Sequence, residues 1–508
     1  LGLAGLPLYL SLEDSLEPTQ MKSPRKKAVR STRRDFIKTG GVLAAGSSFL
    51  ISGTKASGNI IGANDRVRMA VAGLNGRGGA HIGGWNGQQN VEVVSLIDPD
   101  QNVLGKKLEK QKGAKGYADV RVALEDKNLD GISIATPNHW HSLMTIWAAQ
   151  AGKHVYVEKP MSHDIAEGRI VVEAQKKYNV VIQHGTQRRS SAGIAGLHEA
   201  LESGDLPRLK IAYGYCCKPR GGIGVKQATS APQNLNWDLW KGPAAIDEYH
   251  QNYVHYNWHW FWKTGNGDLN NQGTHQLDVA RWAIDSDQSH PVRVMAIGGR
   301  FQWKDQGETP NTMFGIAEYP NGQYVLFNVR NVNYKGYKHQ VFNEYYLEDG
   351  SVITGENKYK IRRPGKKAED LVVKPGKVTP GGNWGSFIAA VRAADPNMAN
   401  GNALDAHYGC VMGHLINNSY RLGKQVPFNE KAVSFGDNKD AAEHFLKLHE
   451  IMQGGVGIPK DKAEYTVGPW LTFDSKTERH IGDHAKEANA LLKDQNRAGF
   501  EIPDLKNI

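Results

Sequence analysis

The chain has 508 residues and a mass of 56.0 kDa, too long for one ordinary core, and at roughly 150 residues per domain it divides into two or three. With 40% hydrophobic and 22% charged residues, and no run near the roughly 20 apolar residues of a membrane-spanning helix, the composition excludes disordered, collagen-like, coiled-coil and helical membrane proteins. The net charge is +10, but residues 1–56 carry +5 of it, and the other +5 is spread too thinly over the rest for a phosphate-binding stripe, so no nucleic-acid partner is expected.

Residues 21–38 hold eight Lys or Arg against one Asp. Arg33 and Arg34, followed by Phe36, Ile37 and Lys38, a mildly apolar stretch over 40–53 and small residues near Ala56, have the order of an export signal. The paired arginines resemble the twin-arginine signal, which implies a periplasmic protein handed folded to the twin-arginine export machinery, with any cofactor loaded inside. Residues 1–56 are therefore read as an export signal and upstream extension, separate from the fold.

From Arg66 the pattern becomes strand, glycine turn, helix. Residues 67–72 alternate into a buried strand, Gly73-Leu-Asn-Gly-Arg-Gly-Gly79 opens a helix through Trp85, and residues 91–97 form a second strand ending at Asp98. Glycines at such a turn let the backbone approach a pyrophosphate on the free amides of a helix N-terminus. Gly73, Gly76, Arg77 and Gly78 are the candidate cradle, although the middle glycine of G-x-G-x-x-G falls on Asn75. A carboxylate at Asp98 accepts from the adenine ribose hydroxyls and repels a 2′-phosphate, which favours NAD over NADP. Further strands at 131–135, 154–157 and 180–183 alternate with helices at 139–151 and 164–178, the pattern of a parallel, doubly wound sheet spanning 57–186.

Two strand ends go beyond a generic nucleotide fold: Ala135-Thr-Pro-Asn-His-Trp-His141 and Val155-Tyr-Val-Glu-Lys-Pro160. With the glycine turn they resemble the Gfo/Idh/MocA family of NAD(P)-dependent oxidoreductases over residues 66–459. The resemblance implies an α/β fold with an N-terminal doubly wound Rossmann domain, then an α/β domain (187–459) whose large, mostly antiparallel open sheet also docks a partner subunit, so a homo-oligomer is expected. It also places Thr136, Pro137, Asn138, His141, Glu158 and Lys159 around the cofactor. Independently, Lys159 sits at the carboxyl end of a strand, where open α/β sheets bind ligands and an ammonium can hold developing alkoxide charge. Glu158 either pairs with Lys159 or faces the nicotinamide side.

Downstream, Trp237-Asp-Leu-Trp240 and residues 253–262 are rich in aromatic residues, with His255, Trp258 and His259 as substrate-side candidates. Packing of a loop onto the sheet accounts for the same cluster equally well. Asn271, His275, Asp278 and Trp282 follow at helical spacing and share one face. On the resemblance His275 takes the proton from a sugar hydroxyl, and Asp278 lies on the substrate side. Asn271 departs from family members that carry Asp four residues before the histidine; an amide orients but holds no charge. Alternating runs at 292–297, 312–318 and 323–329 read as strands of the second sheet. Cys216, Cys217 and Cys410 lack both a disulfide framework and metal-ligand spacing, so no metal is expected, and residues 460–508 read as a polar docking tail.

Together these readings describe an exported, NAD-dependent oxidoreductase of a sugar, glycoside or polyol, with the cofactor retained because a periplasm offers no pool to recycle it. The alternatives are NAD-dependent glycoside cleavage by oxidation and elimination, and a non-catalytic carbohydrate- or nucleotide-binding protein.

Overall fold

A computed structural model describes residues 65–356, 358–428, 435–436, 438–459 and 462–508. The expected export signal, residues 1–56, lies outside the described residues.

Strands β1 (Val67–Ala72), β2 (Val91–Ile97), β3 (Lys115–Tyr117), β4 (Gly131–Ile134), β5 (His154–Val157) and β6 (Ile182–His184) form a parallel sheet in the order β3-β2-β1-β4-β5-β6. Helices α1 (Arg77–Asn86), α2 (Gln101–Leu108), α3 (Val120–Leu124), α4 (Asn138–Gln150) and α5 (Ile165–Tyr178) alternate with them. Both faces of such a sheet are covered, which is why its strands are apolar runs rather than alternating ones. Side-chain caps fix the helix starts: Asp100 accepts from the amides of Asn102 and Val103, and Asp164 from that of Glu167. Strand order reverses between β1 and β4, so a crevice opens at their carboxyl ends.

The second half continues with α6 (Ala192–Glu202), β7 (Leu209–Cys216), α7 (Trp237–Lys241), the single turn α8 (Gly267–Asn270) and α9 (Thr274–Ala283). Strands β8 (Arg293–Gly299), β9 (Thr312–Glu318), β10 (Tyr324–Arg330), β11 (Asn343–Leu347), β12 (Val352–Thr354), β13 (Tyr359–Arg362) and β14 (Glu369–Leu371) then build a large mixed sheet around β7. Its pairings are antiparallel except that of β7 with β10.

Two late helices tie the halves together. In α10 (Gly382–Ala393), Phe387, Ile388, Ala390 and Val391 pack with Met69, Trp85 and Tyr156 on one face of the first sheet. In α11 (Ala403–Arg421), Ala403, Ala406 and Cys410 join the Rossmann core while Val411, Met412, Leu415 and Ile416 join the core beneath the second sheet. The far face of that sheet is covered by the chain itself: Phe445 and Leu448 of α12 (Lys439–Ile451) pack on Tyr213, Phe314, Ile316 and Leu326. Helix α12 thus covers part of that face, while alternate residues of β11 and β13 on the sheet stay half-buried or exposed.

The C-terminal segment docks by joining the second sheet and the Rossmann core. Strand β15 (Lys424–Pro427) pairs with β16 (Glu464–Val467), which joins β8, and the hairpin of β17 (Leu471–Asp474) and β18 (Arg479–Ile481) joins β8 as well. Phe500, Ile502 and Ile508 return to the Rossmann core beside Trp140 and Trp147. A polar, lysine-rich composition hides this, because a handful of buried apolar residues suffices to dock the segment while its other side chains stay solvated. Glu478, at the hairpin turn, accepts at 2.8 Å from both His290 and His407 and pairs with Arg169. That guanidinium already supplies the positive charge facing the carboxylate, so the cluster serves as a fold clamp.

Candidate active site

A cleft of about 510 Å³ lies at the carboxyl ends of β1, β4 and β5, walled by the glycine turn, by residues 135–141 and 158–159, and by segments 239–240, 255–259 and 271–275. This volume is within the usual range for a small-molecule site, roughly 300–1,000 Å³.

The dinucleotide end is shaped by backbone. Gly73 has φ +80°, and a Cβ there would stand 2.6 Å from the Ala135 carbonyl; a Cβ on Gly78 would stand 1.9 Å from Gly73 O. Both positions require glycine, for the turn and for seating α1 against β1. A Cβ on Gly76 meets nothing, and no side chain caps α1, so its first amides face open space as an anion-binding end. Asn75 in place of a glycine does no harm here, because it is exposed and lies outside the tight approaches. Asp98 accepts from the amides of Leu74 and Asp100 at 2.8 and 2.9 Å while lining the cleft; burial raises its pKa. The buried Thr136 hydroxyl oxygen has no partner among the described residues, and it lies in the cleft wall with Pro137 and Asn138. An NAD molecule fits this donor set: free amides for its phosphates, a carboxylate for its ribose, and an uncommitted hydroxyl.

The other end holds the reactive side chains. Lys159 Nζ donates to the backbone oxygen of Asn271 at 2.7 Å and to its Oδ1 at 3.1 Å. Burial lowers the Lys159 pKa, against the opposing pull of Glu158 and Asp268. Glu158 does not bind that ammonium. Its Oε1 accepts from Arg77 Nε at 2.7 Å and from His81 Nε2 at 3.0 Å, and these partners hold it well below the usual carboxylate range despite its burial. Arg77 is thereby fixed across the mouth of the cradle. The His275 ring is half-buried in the cleft wall; burial, then Lys159, lower its pKa to about 3, so it stands neutral.

The charge that Asn271 lacks sits three residues earlier. Asp268 is fully buried; it accepts from Asn271 Nδ2 at 3.1 Å and from Asn331 Nδ2 at 2.7 Å, and it pairs with Arg220 through two bonds of 2.9 Å. Lys159, Asn271, Asp268 and Arg220 therefore form one chain of contacts. Asp268 and Gln272 lie in the same glycine-rich segment as Asn271, and Tyr256 in the aromatic segment 253–262, and could have been singled out from them; Arg220, Gln187 and Lys218, the last two in the cleft wall, carried no sequence signal.

Two expected site residues are placed otherwise. Asp278 lies 1% exposed behind the cleft, bound through both oxygens to Arg189 at 2.9 and 3.0 Å. It shares a helix with His275, but a three-residue step rotates it under α11, where a Cβ on Gly409 would touch it at 2.9 Å. His141 borders the cleft, yet its ring nitrogens lie 2.6 and 2.8 Å from the carbonyl oxygens of Pro160 and Thr136, so it clamps two strand ends rather than offering a free nitrogen to the cofactor. The aromatic segment serves both packing and site. Trp240, Tyr249 and Trp258 form a small core of their own, while Trp258 also faces the cleft with His255 and His259. His259 stacks on Trp258 at 3.6 Å and His255 lies 3.2 Å from Asp100.

Sequence profiles give the decisive comparison: one described as the Gfo/Idh/MocA oxidoreductase family's NAD-binding Rossmann fold matches residues 67–186, and one for the family's C-terminal alpha/beta domain matches 220–452. The chain belongs to the Gfo/Idh/MocA oxidoreductase family. It is 30% identical to a myo-inositol 2-dehydrogenase of Thermotoga maritima over 140 residues, 28% of this chain and 42% of the relative. It is 28% identical to a levoglucosan dehydrogenase of Pseudarthrobacter phenanthrenivorans over 169 residues, 33% of this chain and 36% of the relative. The matched stretch thus spans less than half of these relatives. Among solved structures, an NAD-binding protein from Listeria innocua aligns at TM-score 0.51 and 18% identity, over 69% of this chain and 94% of its own. A levoglucosan dehydrogenase in complex with NADH and levoglucosan aligns at TM-score 0.51 and 16% identity, over 68% and 95%. These likenesses establish the two-domain fold of the family for this chain.

Proposed function

We propose that the protein is an NAD-dependent oxidoreductase that acts on a CH–OH group of a sugar, glycoside or polyol. One observation carries the reading: an ammonium held by Asn271 and a neutral imidazole, Lys159 and His275, face the same cleft as a glycine turn shaped for a dinucleotide. The names of relatives, inositol and levoglucosan dehydrogenases, point to the same substrate class.

Bound in this cleft, NAD supplies a nicotinamide that accepts hydride from the substrate carbon. Gly73, Gly76, Gly78 and Asp98 hold the dinucleotide, with Thr136, Pro137 and Asn138 along its path. His275 takes the hydroxyl proton, and Lys159 donates a hydrogen bond to the same oxygen as the carbonyl forms, so proton and hydride leave together. Asn271 fixes the ammonium, and Glu158, engaged by Arg77 and His81, leaves Lys159 free for substrate. Trp258, His255 and His259 offer a ring face and polar edges to the sugar. A protein that only bound carbohydrate would have no need to place a lysine and a neutral imidazole in one cleft beside a dinucleotide cradle.

The reading includes twin-arginine export to the periplasm, a retained cofactor and a homo-oligomer. The test is to denature the purified exported protein, identify released dinucleotide by mass spectrometry, and follow its reduction with a panel of sugars and polyols. Reduction by one class establishes the activity. Failure to retain or bind dinucleotide refutes it.

A further inference from the structure

Next to the cleft lies a second cavity of about 510 Å³, open to solvent and lined by residues 220–223 and by Lys226, Gln251, Asn252, Val254, Tyr256, Asn257 and Trp260. The two cavities share a wall. Tyr256 lines both, is 50% exposed, and its hydroxyl oxygen accepts from Arg220 Nη1 at 2.8 Å. Through Asp268, the guanidinium that holds this tyrosine is tied to Asn271 and so to Lys159.

The walls are fixed before any ligand arrives. Asn252 is 2% exposed and donates to Gly224 O and to Gln306 Oε1, while Gln306 also bonds both backbone groups of Lys226. Ile223 N donates to Asp305 Oδ2 at 2.8 Å. The space is lined by the half-exposed ring of Tyr256, by the buried Trp260 with the Arg220 guanidinium 5.5 Å over its ring, by the side-chain amides of Gln251 and Asn257, the latter also bonded to Asn252 at 3.4 Å, and by two cations, Arg220 and Lys226, with no carboxylate among the described lining residues; aromatic, amide and cationic groups of this kind recognise a sugar ring. From this geometry we infer that the second cavity is a subsite for a further sugar ring, so that the substrate is a di- or oligosaccharide, or a glycoside with a ring-sized aglycone, running past Tyr256 from the reacting ring. The inference rests on the proposed oxidoreductase reading and narrows its substrate.

A plug tests it. Gly221 lines the cavity, a Cβ there meets nothing within 4 Å, and its φ lies outside the left-handed region, so Gly221→Trp adds an indole at the cavity wall. The paired variant Gln251→Ala with Asn257→Ala removes ring contacts from the cavity wall and serves where the plug fails to fold. Holoenzyme is assayed for dinucleotide reduction with glucose, galactose and mannose against maltose, cellobiose, lactose and mannobiose, and disaccharide binding is followed in parallel by calorimetry. The expected result is a kcat/KM about 10-fold or more higher for one disaccharide than for its monosaccharide, lost in the variants while monosaccharide turnover stays within about 2-fold. Monosaccharide oxidation with no disaccharide preference, or a preference that survives both variants, overturns the subsite and leaves the oxidoreductase reading standing. Disaccharide binding that the variants abolish, without any reduction, upholds the subsite and refutes the oxidoreductase reading. Neither binding nor reduction overturns both.

Discussion

Replacing Asn271 by Ala isolates the contact that holds Lys159. The substitution removes the Oδ1 acceptor at 3.1 Å from Nζ and the Nδ2 donor to Asp268, but keeps the backbone acceptor at 2.7 Å. A hydrogen bond to a charged group is worth about 1.5–3 kcal/mol, or roughly 10- to 150-fold in rate if realised in the transition state. Because one of two acceptors survives, the low end applies: kcat/KM should fall about 10-fold. Loss of an acceptor also destabilises the ammonium, so the alkaline limb of the pH–rate profile should move to lower pH, a change that a merely structural role would not produce. Asn271→Asp separates geometry from charge. It sets a second carboxylate against Asp268, and at an effective dielectric near 20 two such charges about 4 Å apart cost about 4 kcal/mol before Lys159 offsets part of it. The new carboxyl then has a raised pKa in the folded state; the unfolded state binds fewer protons at neutral pH, so the variant loses stability as pH rises from 5 to 8. Steady-state kinetics and thermal unfolding of both variants decide the matter. An Asn271→Ala enzyme with wild-type kcat/KM and an unmoved alkaline limb would refute the role given to Asn271.

Gly73→Ala should abolish retention of dinucleotide, since its Cβ would lie 2.6 Å from the Ala135 carbonyl at a φ of +80°; mass spectrometry of the released cofactor reads the outcome. Phe500→Ala should cost about 3–5 kcal/mol in chemical unfolding, because Phe500 is buried against Trp140 and Trp147; a loss below about 1 kcal/mol would mean that the C-terminal segment does not dock as described. Acid should destabilise the protein beginning near pH 6.5. His139, His184, His198, His259, His275 and His414 are lowered to about 3 by burial, so between those limits the unfolded state binds protons that the folded state refuses, each histidine removing up to about 1.4 kcal/mol per pH unit. Asp164, raised to about 6, and Glu167, Asp98 and Asp130, also raised, act in the opposite sense, but the lowered histidines, which include His141, His154, His407, His444 and His480 as well, outnumber them. Urea midpoints that rise between pH 7 and pH 5 would contradict this balance.

The first sheet was legible in the sequence because short, mostly apolar segments at 67–72, 91–97 and 154–157 alternate with helical stretches, as strands of a parallel sheet buried on both faces must. The turn glycines and Lys159 were legible for a related reason: a backbone conformation or a strand end dictates the residue type locally. Position along a helix was a weaker guide. His275 and Asp278 fit one helical face on spacing alone, yet the packing of α11 puts the first in the cleft and the second under Arg189. Sequence assigned Asn271 a missing charge; only the fold shows Asp268 supplying it through Asn271, because that contact depends on how Gly267–Asn270 turns toward Arg220. The same holds for α10, α12 and residues 462–508, which close faces of sheets hundreds of residues earlier in the chain. Local sequence determines what an element is and which atoms it carries. Which elements cover one another, and hence what lines the cleft and the cavity beside it, is decided by long-range burial that no local pattern encodes.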